Sequence, residues 1–262
     1  MEIDLKGKRA IVCGSTQGIG KATAIQLSRA GAAITLVARN EGGLAKVITE
    51  LDNSFGQDHE YLTVDFFDLP KVKNVVGDYL KKVSAVHILV NNTGGPPAGK
   101  AVEADEEAYL TAFSAHLLCN QILVQSFVPL MKKENYGRII NIISTSVKAP
   151  IPGLGVSNTI RGAVASWAKT LAGELGGDGI TVNNVLPGMT KTARLFSLIK
   201  TLADKANITE QEQTQRMIET IPAGRLAEAE EVAAAVVFLA SPLASYVNGI
   251  NLPVDGGRTP SL

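Results

Sequence analysis

Gly14, Gly18 and Gly20 stand in the run Gly14-Ser15-Thr16-Gln17-Gly18-Ile19-Gly20, between an apolar stretch, Arg9–Gly14, and the start of a helical pattern, Gly20–Ala30. Glycines at this spacing allow a tight turn and let backbone N–H groups approach an anion at the positive end of a helix, which is the chemistry of holding a diphosphate. A turn that only brings strand and helix close together would use the same residues. Arg39 and Asn40 follow the second apolar run, Ala33–Ala38. An Asp or Glu there would bond the ribose 2′-hydroxyl of NAD and repel a 2′-phosphate. A guanidinium can instead pair bidentately with that phosphate, which favours NADP(H) and leaves NAD(H) possible. A solvated surface arginine is the plain alternative.

The other residues with chemical potential also follow apolar runs. Asp65 and Phe66 come after Glu60–Val64, and Asn91-Asn92-Thr93-Gly94 after Val86–Val90. Ser144 comes one residue past Arg138–Ile143, and Pro187-Gly188-Met189-Thr190-Lys191-Thr192 after Ile180–Leu186. The carboxyl ends of strands are where open α/β sheets bind ligands, although each segment taken alone could be an ordinary turn. Ser144 has the type and place of an oxyanion donor, and its Ser-Thr-Ser setting also suits a turn cap. Gly94-Gly95-Pro96-Pro97 either shapes a loop over a bound cofactor or is a rigid turn.

These residues need a scaffold, and the intervening pattern describes it. Six runs rich in Val, Ile and Leu with little polar alternation read as parallel strands buried on both faces, and Ile250–Val254 adds a seventh. Helical patterns at Gly20–Ala30, Gly42–Asn53, Leu69–Lys82, Asp105–Lys133 and Thr159–Leu175 alternate with them. The fold class is therefore α/β: one doubly wound Rossmann-type domain over residues 1–262, with a mostly parallel seven-stranded sheet and helices on both faces. The rhythm breaks after Pro187, where a polar, helix-prone insertion at about 193–220 has the position of a substrate lid and no recognisable chemistry.

Composition excludes several classes. Hydrophobic residues make up 45% and charged residues 19%, enough for a large core. Lys plus Arg and Asp plus Glu each number 25 and form no basic run, so neither nucleic acid nor an anionic membrane is an expected partner. Val232–Ala240, the longest apolar stretch, is half the roughly 18 residues a membrane span needs. Met1–Lys8 lacks the apolar segment of a signal peptide. Cys13 and Cys119 have neither CxxC nor metal-ligand spacing, so two free thiols in a cytoplasmic protein and no metal are expected.

Taken together, Gly14–Gly20, Asn91-Asn92-Thr93-Gly94, Gly137-Arg138-Ile139-Ile140-Asn141-Ile142, Pro187-Gly188 and Val254-Asp255-Gly256-Gly257 resemble the short-chain dehydrogenases/reductases over nearly the whole chain. The resemblance is to the 3-oxoacyl-(acyl-carrier-protein) reductase-like members. It implies that Asp65 holds the adenine and that Thr190 and Thr192 contact the nicotinamide carboxamide. It also implies a catalytic set of Asn, Ser, Tyr and Lys. Ser144 matches the serine; the tyrosine falls on Ser157, the lysine on Arg161 and the asparagine on His116.

A serine hydroxyl is a far weaker acid than the tyrosine it replaces, and a guanidinium keeps its proton. Arg161 can still supply charge and bind ribose hydroxyls. His116, with an ordinary imidazole pKa near about 6.5, is the candidate replacement acid; a core or interface histidine satisfied by hydrogen bonds is the alternative. The leading expectation is an NADP(H)-dependent oxidoreductase interconverting a carbonyl and an alcohol on a small-molecule or acyl-thioester substrate, with a non-standard proton relay. A catalytically silent NADP(H) or metabolite sensor and a structural paralogue are the rivals. The pattern Asp105–Lys133 carries Leu110, Phe113, Leu117, Leu118, Leu123, Val124, Phe127 and Leu130 on more than one face, so a homo-oligomer, by family resemblance a tetramer, is expected.

Overall fold

The β-rich runs become strands, mostly through apolar side chains that pack on the two pleat faces: β1 Arg9–Cys13, β2 Ala33–Ala38, β3 Glu60–Thr63, β4 Ile88–Asn91, β5 Gly137–Ile142, β6 Ile180–Pro187 and β7 Asn251–Val254. The computed structural model describes residues 3–261; Met1 and Glu2 of the amino-terminal stretch, and Leu262, lie outside the described residues. The strands form one seven-stranded sheet in the order β3-β2-β1-β4-β5-β6-β7, and every pairing is parallel. No antiparallel edge qualifies the sheet, so "mostly parallel" becomes wholly parallel.

Alternation along the strands divides the core into two layers. Val12, Ile34, Leu36, Ile88 and Val90 face α1 (Gly18–Arg29), α2 (Glu41–Ile48) and α9 (Ala229–Ala240), through Leu27, Leu44, Val232 and Val236. Ile11, Val37, Leu89 and Ile139 face α3 (Leu69–Leu80), α5 (Cys119–Lys133) and α6 (Gly155–Leu175), through Val72, Leu123, Phe127 and Ala168. Burying such a Leu or Phe contributes roughly 1.5–3 kcal/mol. The chain winds from β1 to β2 on one side and returns to β4 on the other. The carboxyl ends of β1 and β4 therefore flank the topological switch point, where such sheets open a crevice.

The helical patterns differ from expectation in four ways. Asp105–Lys133 is not one helix: α4 (Glu106–Phe113) leads into a π turn, Ser114–Leu118, before α5, and His116 lies inside that turn. Single π turns inside α-helices are frequent at functional sites. Helix α6 begins at Gly155 rather than Thr159, which places Ser157 in its first turn. Helix α2 stops at Ile48, well short of Asn53. Val232–Ala240 belongs to α9, which enters through a reciprocal Glu228/Glu231 capping box and buries Val232, Ala233, Val236 and Leu239.

The insertion is a pair of helices, α7 (Ala193–Ala206) and α8 (Glu210–Ile218), closed on each other through Leu195, Ile199 and Met217. Among the described residues no helix is long and apolar enough to cross a membrane.

A buried amide ladder crosses half the sheet. Asn91 donates to Asn141 at 2.9 Å, Asn141 to Asn184 at 2.9 Å, and Asn184 to Asn251 at 2.8 Å, each pair in register on neighbouring strands. A one-residue slip would break these bonds and strand buried amides without partners, so the ladder locks the register of β4 to β7.

Candidate active site

The glycine turn is built to receive an anion. Gln17 caps α1 in extended conformation with no side-chain cap bond, and no acid stands in the first turn, so the helix's first N–H groups have no side-chain acceptor. Gly18 has φ +54, in the left-handed region, and the methyl of Thr192 lies 3.0 Å from where its Cβ would stand. A Cβ on Gly20 would lie 2.2 Å from the Gly14 carbonyl oxygen. Asn92 spans the switch point, its Nδ2 donating to the Cys13 and Gly14 carbonyls at 3.3 Å each. Gly14, Gly18, Ile19, Gly20, Asn92 and Thr192 are thus brought together, and the glycine turn and uncapped helix end fit a dinucleotide diphosphate.

The remaining predicted cofactor residues divide by where their side chains go. Arg39 is 74% exposed at its side chain, and its Nη1 lies 3.8 Å from Asp65 Oδ2. An acid thus does stand near Arg39, but it comes from the end of β3 rather than β2. So exposed a pair is worth little and yields readily to a phosphate. Asn40 caps α2 by accepting from Gly43 N at 3.0 Å. The Ser15 hydroxyl is fully buried and accepts from Val37 N at 3.1 Å, so only its backbone is left for a ligand. The Phe66 ring is likewise buried in the core layer. Pro187 ends β6, and Gly188 N donates to Val254 O at 2.9 Å. Thr190 is buried, its hydroxyl donating to Gly188 O, and Thr192 caps α7 by accepting from Leu195 N.

At the ends of β4 and β5, Arg161 is the organising group. It is 8% exposed, and its guanidinium donates to Ile142 O at 3.1 Å and Thr93 O at 3.4 Å, tying α6 to the ends of β4 and β5. Burial first, and then the charge of Arg194, lowers its pKa to about 10, so it remains cationic at neutral pH. The Ser144 oxygen accepts from Ser146 N at 3.1 Å, the cap that sequence offered as an alternative. That bond occupies a lone pair and leaves the hydroxyl hydrogen to donate elsewhere, so the cap is compatible with the expected oxyanion role. Ser157 is half-buried in the first turn of α6. Its neighbour Asn158 both accepts from Ile151 N and donates to Ile151 O, pinning the loop that precedes the helix.

His116 corrects an expectation. It is 2% exposed, and burial, with the nearby Arg161 charge adding to it, pushes its pKa down to about 3 against a hydrogen bond to the Gly94 backbone that works the other way. The imidazole is therefore neutral at pH 7 and is no reservoir of a proton titrating near 6.5. The insertion at 193–220, expected to carry no recognisable chemistry, corrects another. Arg194, in the first turn of α7, donates to Pro96 O, and its Nη2, like that of Arg161, lies 3.8 Å from where a Gly95 Cβ would stand. No local signal marked this arginine, because only the folded insertion brings it to the loop that follows β4. That loop is itself held to the start of α6 by Gly99 N donating to Gly153 O at 2.7 Å and Gly155 N to Gly99 O at 2.9 Å.

Comparison with known proteins agrees with this geometry. The family model described as enoyl-(acyl carrier protein) reductase matches residues 14–259. The chain belongs to the short-chain dehydrogenase/reductase family of oxidoreductases. It is 32% identical over 253 residues to the 3-oxoacyl-(acyl-carrier-protein) reductase FabG of Haemophilus influenzae, covering 97% of this chain and 98% of the relative. It is 32% identical over 266 residues to the uncharacterized oxidoreductase YvaG of Bacillus subtilis, covering 100% of both. Among solved structures, L-sorbose reductase from Gluconobacter frateurii complexed with NADPH and L-sorbose is similar at TM-score 0.93 and 30% identity, covering 100% of both chains.

Proposed function

We propose that this chain is an NADP(H)-dependent oxidoreductase interconverting a carbonyl and an alcohol, in the manner of the 3-oxoacyl-(acyl-carrier-protein) reductases, with a proton relay that uses no tyrosine. One observation carries the reading: a buried, fixed cation, Arg161, stands at the ends of β4 and β5, on the same sheet edge as the dinucleotide turn. The cofactor, when bound, supplies the hydride, and the protein's task is to place and polarise the carbonyl. Gly14, Gly18, Gly20 and Asn92 form the diphosphate cradle, Arg39 serves the 2′-phosphate, and Thr190 and Thr192 lie at the nicotinamide end.

The Ser144 hydroxyl donates to the substrate oxygen, and Arg161 stabilises the negative charge that grows there, a role that needs charge and not a titrating group. Ser157 then passes its hydroxyl proton to the alkoxide and is reprotonated in the same step through a water chain from bulk solvent, the net source of the proton, since serine is too weak an acid to hold the negative charge itself. His116, neutral, has a positioning role on the Gly94 backbone.

Binding and turnover together test the reading. NADPH should bind about 5- to 150-fold tighter than NADH, as expected for about 1–3 kcal/mol from a charge-assisted phosphate pair, and Arg39→Ala should erase the difference. A carbonyl panel should then oxidise the bound NADPH. Equal affinities for the two dinucleotides would overturn the cofactor assignment. One observation favours the sensor reading: with His116 neutral and serine at the tyrosine position, none of the four tetrad positions carries a group titrating near neutrality. Tight NADPH binding with no turnover of any carbonyl or alcohol is the outcome that would establish it.

The assembly belongs to the same proposal. Leu110 is 61% exposed, and Phe113 and Leu118 project from the same α4–π-turn surface. An apolar face of this kind calls for cover, and family resemblance makes that cover a second copy, within a symmetric tetramer. Sedimentation at micromolar concentration should give an oligomer, which Leu110→Glu with Phe113→Glu should dissociate. A native monomer would refute it.

A further inference from the structure

The space beside Gly95 is unusual in its charge. The Nη2 atoms of Arg161 and Arg194 each lie 3.8 Å from one point, the place where a Gly95 Cβ would stand. They can be no farther apart than twice that distance, and a carboxylate reaching each with one hydrogen bond of about 2.8 Å spans such a gap. Among the described residues neither guanidinium has an acidic partner: Arg161 donates only to the Ile142 and Thr93 carbonyls, and Arg194 to the Pro96 carbonyl. The Arg161 Nε is buried with no partner at all.

Arg194 occupies the first turn of α7, where no acid is present, so no neighbour in that turn neutralises it. Two guanidiniums brought together without a carboxylate leave an electrostatic demand that an external anion would meet. The diphosphate cradle is built from the Gly14–Gly20 turn, whereas Gly95 belongs to the loop after β4.

We infer that the Gly95 gap is a subsite for a carboxylate carried by the substrate, so that this oxidoreductase acts on oxo acids and hydroxy acids in preference to neutral ketones. The turnover part of this rests on the function proposed above; the binding part does not. Arg194 is the specificity-determining residue, because it comes from the lid, while Arg161 is already engaged by two backbone carbonyls. Gly95 must then remain small, since a side chain there would occupy the carboxylate's place.

Calorimetry on NADP⁺-loaded protein tests the subsite without turnover. Pyruvate, acetoacetate and levulinate, which carry the carbonyl at three distances from the acid, are titrated against their methyl esters. At least one acid should bind tenfold or more tighter than its ester. Arg194→Gln should lose that tenfold preference, Arg194→Lys should keep part of it, and NADP⁺ affinity should stay within twofold in both. No acid preferred over its ester would overturn the proposal, as would an Arg194→Gln variant that loses NADP⁺ affinity in parallel, because the arginine would then serve the cofactor. Turnover with NADPH separates the two conclusions. Acid binding that depends on Arg194 without any reduction keeps the subsite and sinks the oxidoreductase reading. Reduction of esters and neutral ketones in preference to the acids keeps the oxidoreductase and sinks the subsite.

Discussion

Ser157→Tyr combined with Arg161→Lys is expected to raise carbonyl reduction by about 10²- to 10⁴-fold, the range a positioned general acid contributes. The phenol would project from the first turn of α6, and Ser157 is only half-buried there. A lysine at 161 would inherit the Ile142 and Thr93 carbonyls as acceptors and bring an ammonium near the phenol, which lowers the tyrosine pKa toward neutrality. Ser144, whose oxygen accepts from Ser146 N, keeps its hydroxyl hydrogen for the proposed oxyanion contact. Ser157→Phe with Arg161→Lys has the same bulk and no acid, so it should show no gain. The comparison is made as kcat with saturating NADPH on both double variants. Equal rates from the Tyr and Phe variants, both binding NADPH, would mean that the altered pair is not where the proton step was lost.

The second large effect is on stability against acid, and it comes from His116. Its folded pKa of about 3 lies below the ordinary 6.5, so the fold favours the neutral ring. Above about pH 6.5 neither state carries the proton, and the native protein has its full stability. As pH falls below 6.5 the unfolded chain takes up a proton that the folded chain refuses until about pH 3. Stability is therefore lost across that window, by about 2–3 kcal/mol between pH 7 and pH 4.5 from this group alone.

Urea unfolding at the two pH values, in native protein and in His116→Asn, isolates the effect because every carboxylate is common to both. The variant should lose less stability on acidification. The same pH dependence in both proteins would mean that the ring titrates normally. For activity, the native pH–rate profile should show no inflection from His116 near pH 6.5. An inflection there that disappears in His116→Asn would restore the imidazole as the acid.

Much of this protein could be read from local pattern, and the reason is physical. Strands of a parallel sheet covered on both faces are predominantly apolar, which marked β1 to β7 to within a few residues despite the asparagines of the ladder and the partly exposed β3 and β7. A turn that brings backbone amides to an anion needs glycines at a fixed spacing before a helix, which marked Gly14, Gly18 and Gly20. The residues that follow strands in a parallel sheet fall on one edge, so Asp65, Asn92, Ser144 and Pro187 could be assigned to a common crevice from their order alone. Arg39 was identifiable from its place after β2, whereas Ser157 and Arg161 were marked only by the resemblance to the short-chain dehydrogenases/reductases, whose tyrosine and lysine fall on them.

Other features arise only when distant segments meet. His116 has an ordinary imidazole in any local window; its depressed pKa exists because the π turn is buried and because α6 brings Arg161 beside it. The asparagine ladder joins four residues spread from Asn91 to Asn251, and parallel register alone aligns them. Arg39 meets its acid across two strands, at Asp65. Arg194 belongs to a polar insertion with no motif, and it enters the site because α7 folds back over the loop at Gly95 and Pro96. Periodicity and turn chemistry act over a few residues, and they set which elements form and which edge holds the cofactor. Charge, burial and substrate contacts act through space, so they depend on how those elements pack.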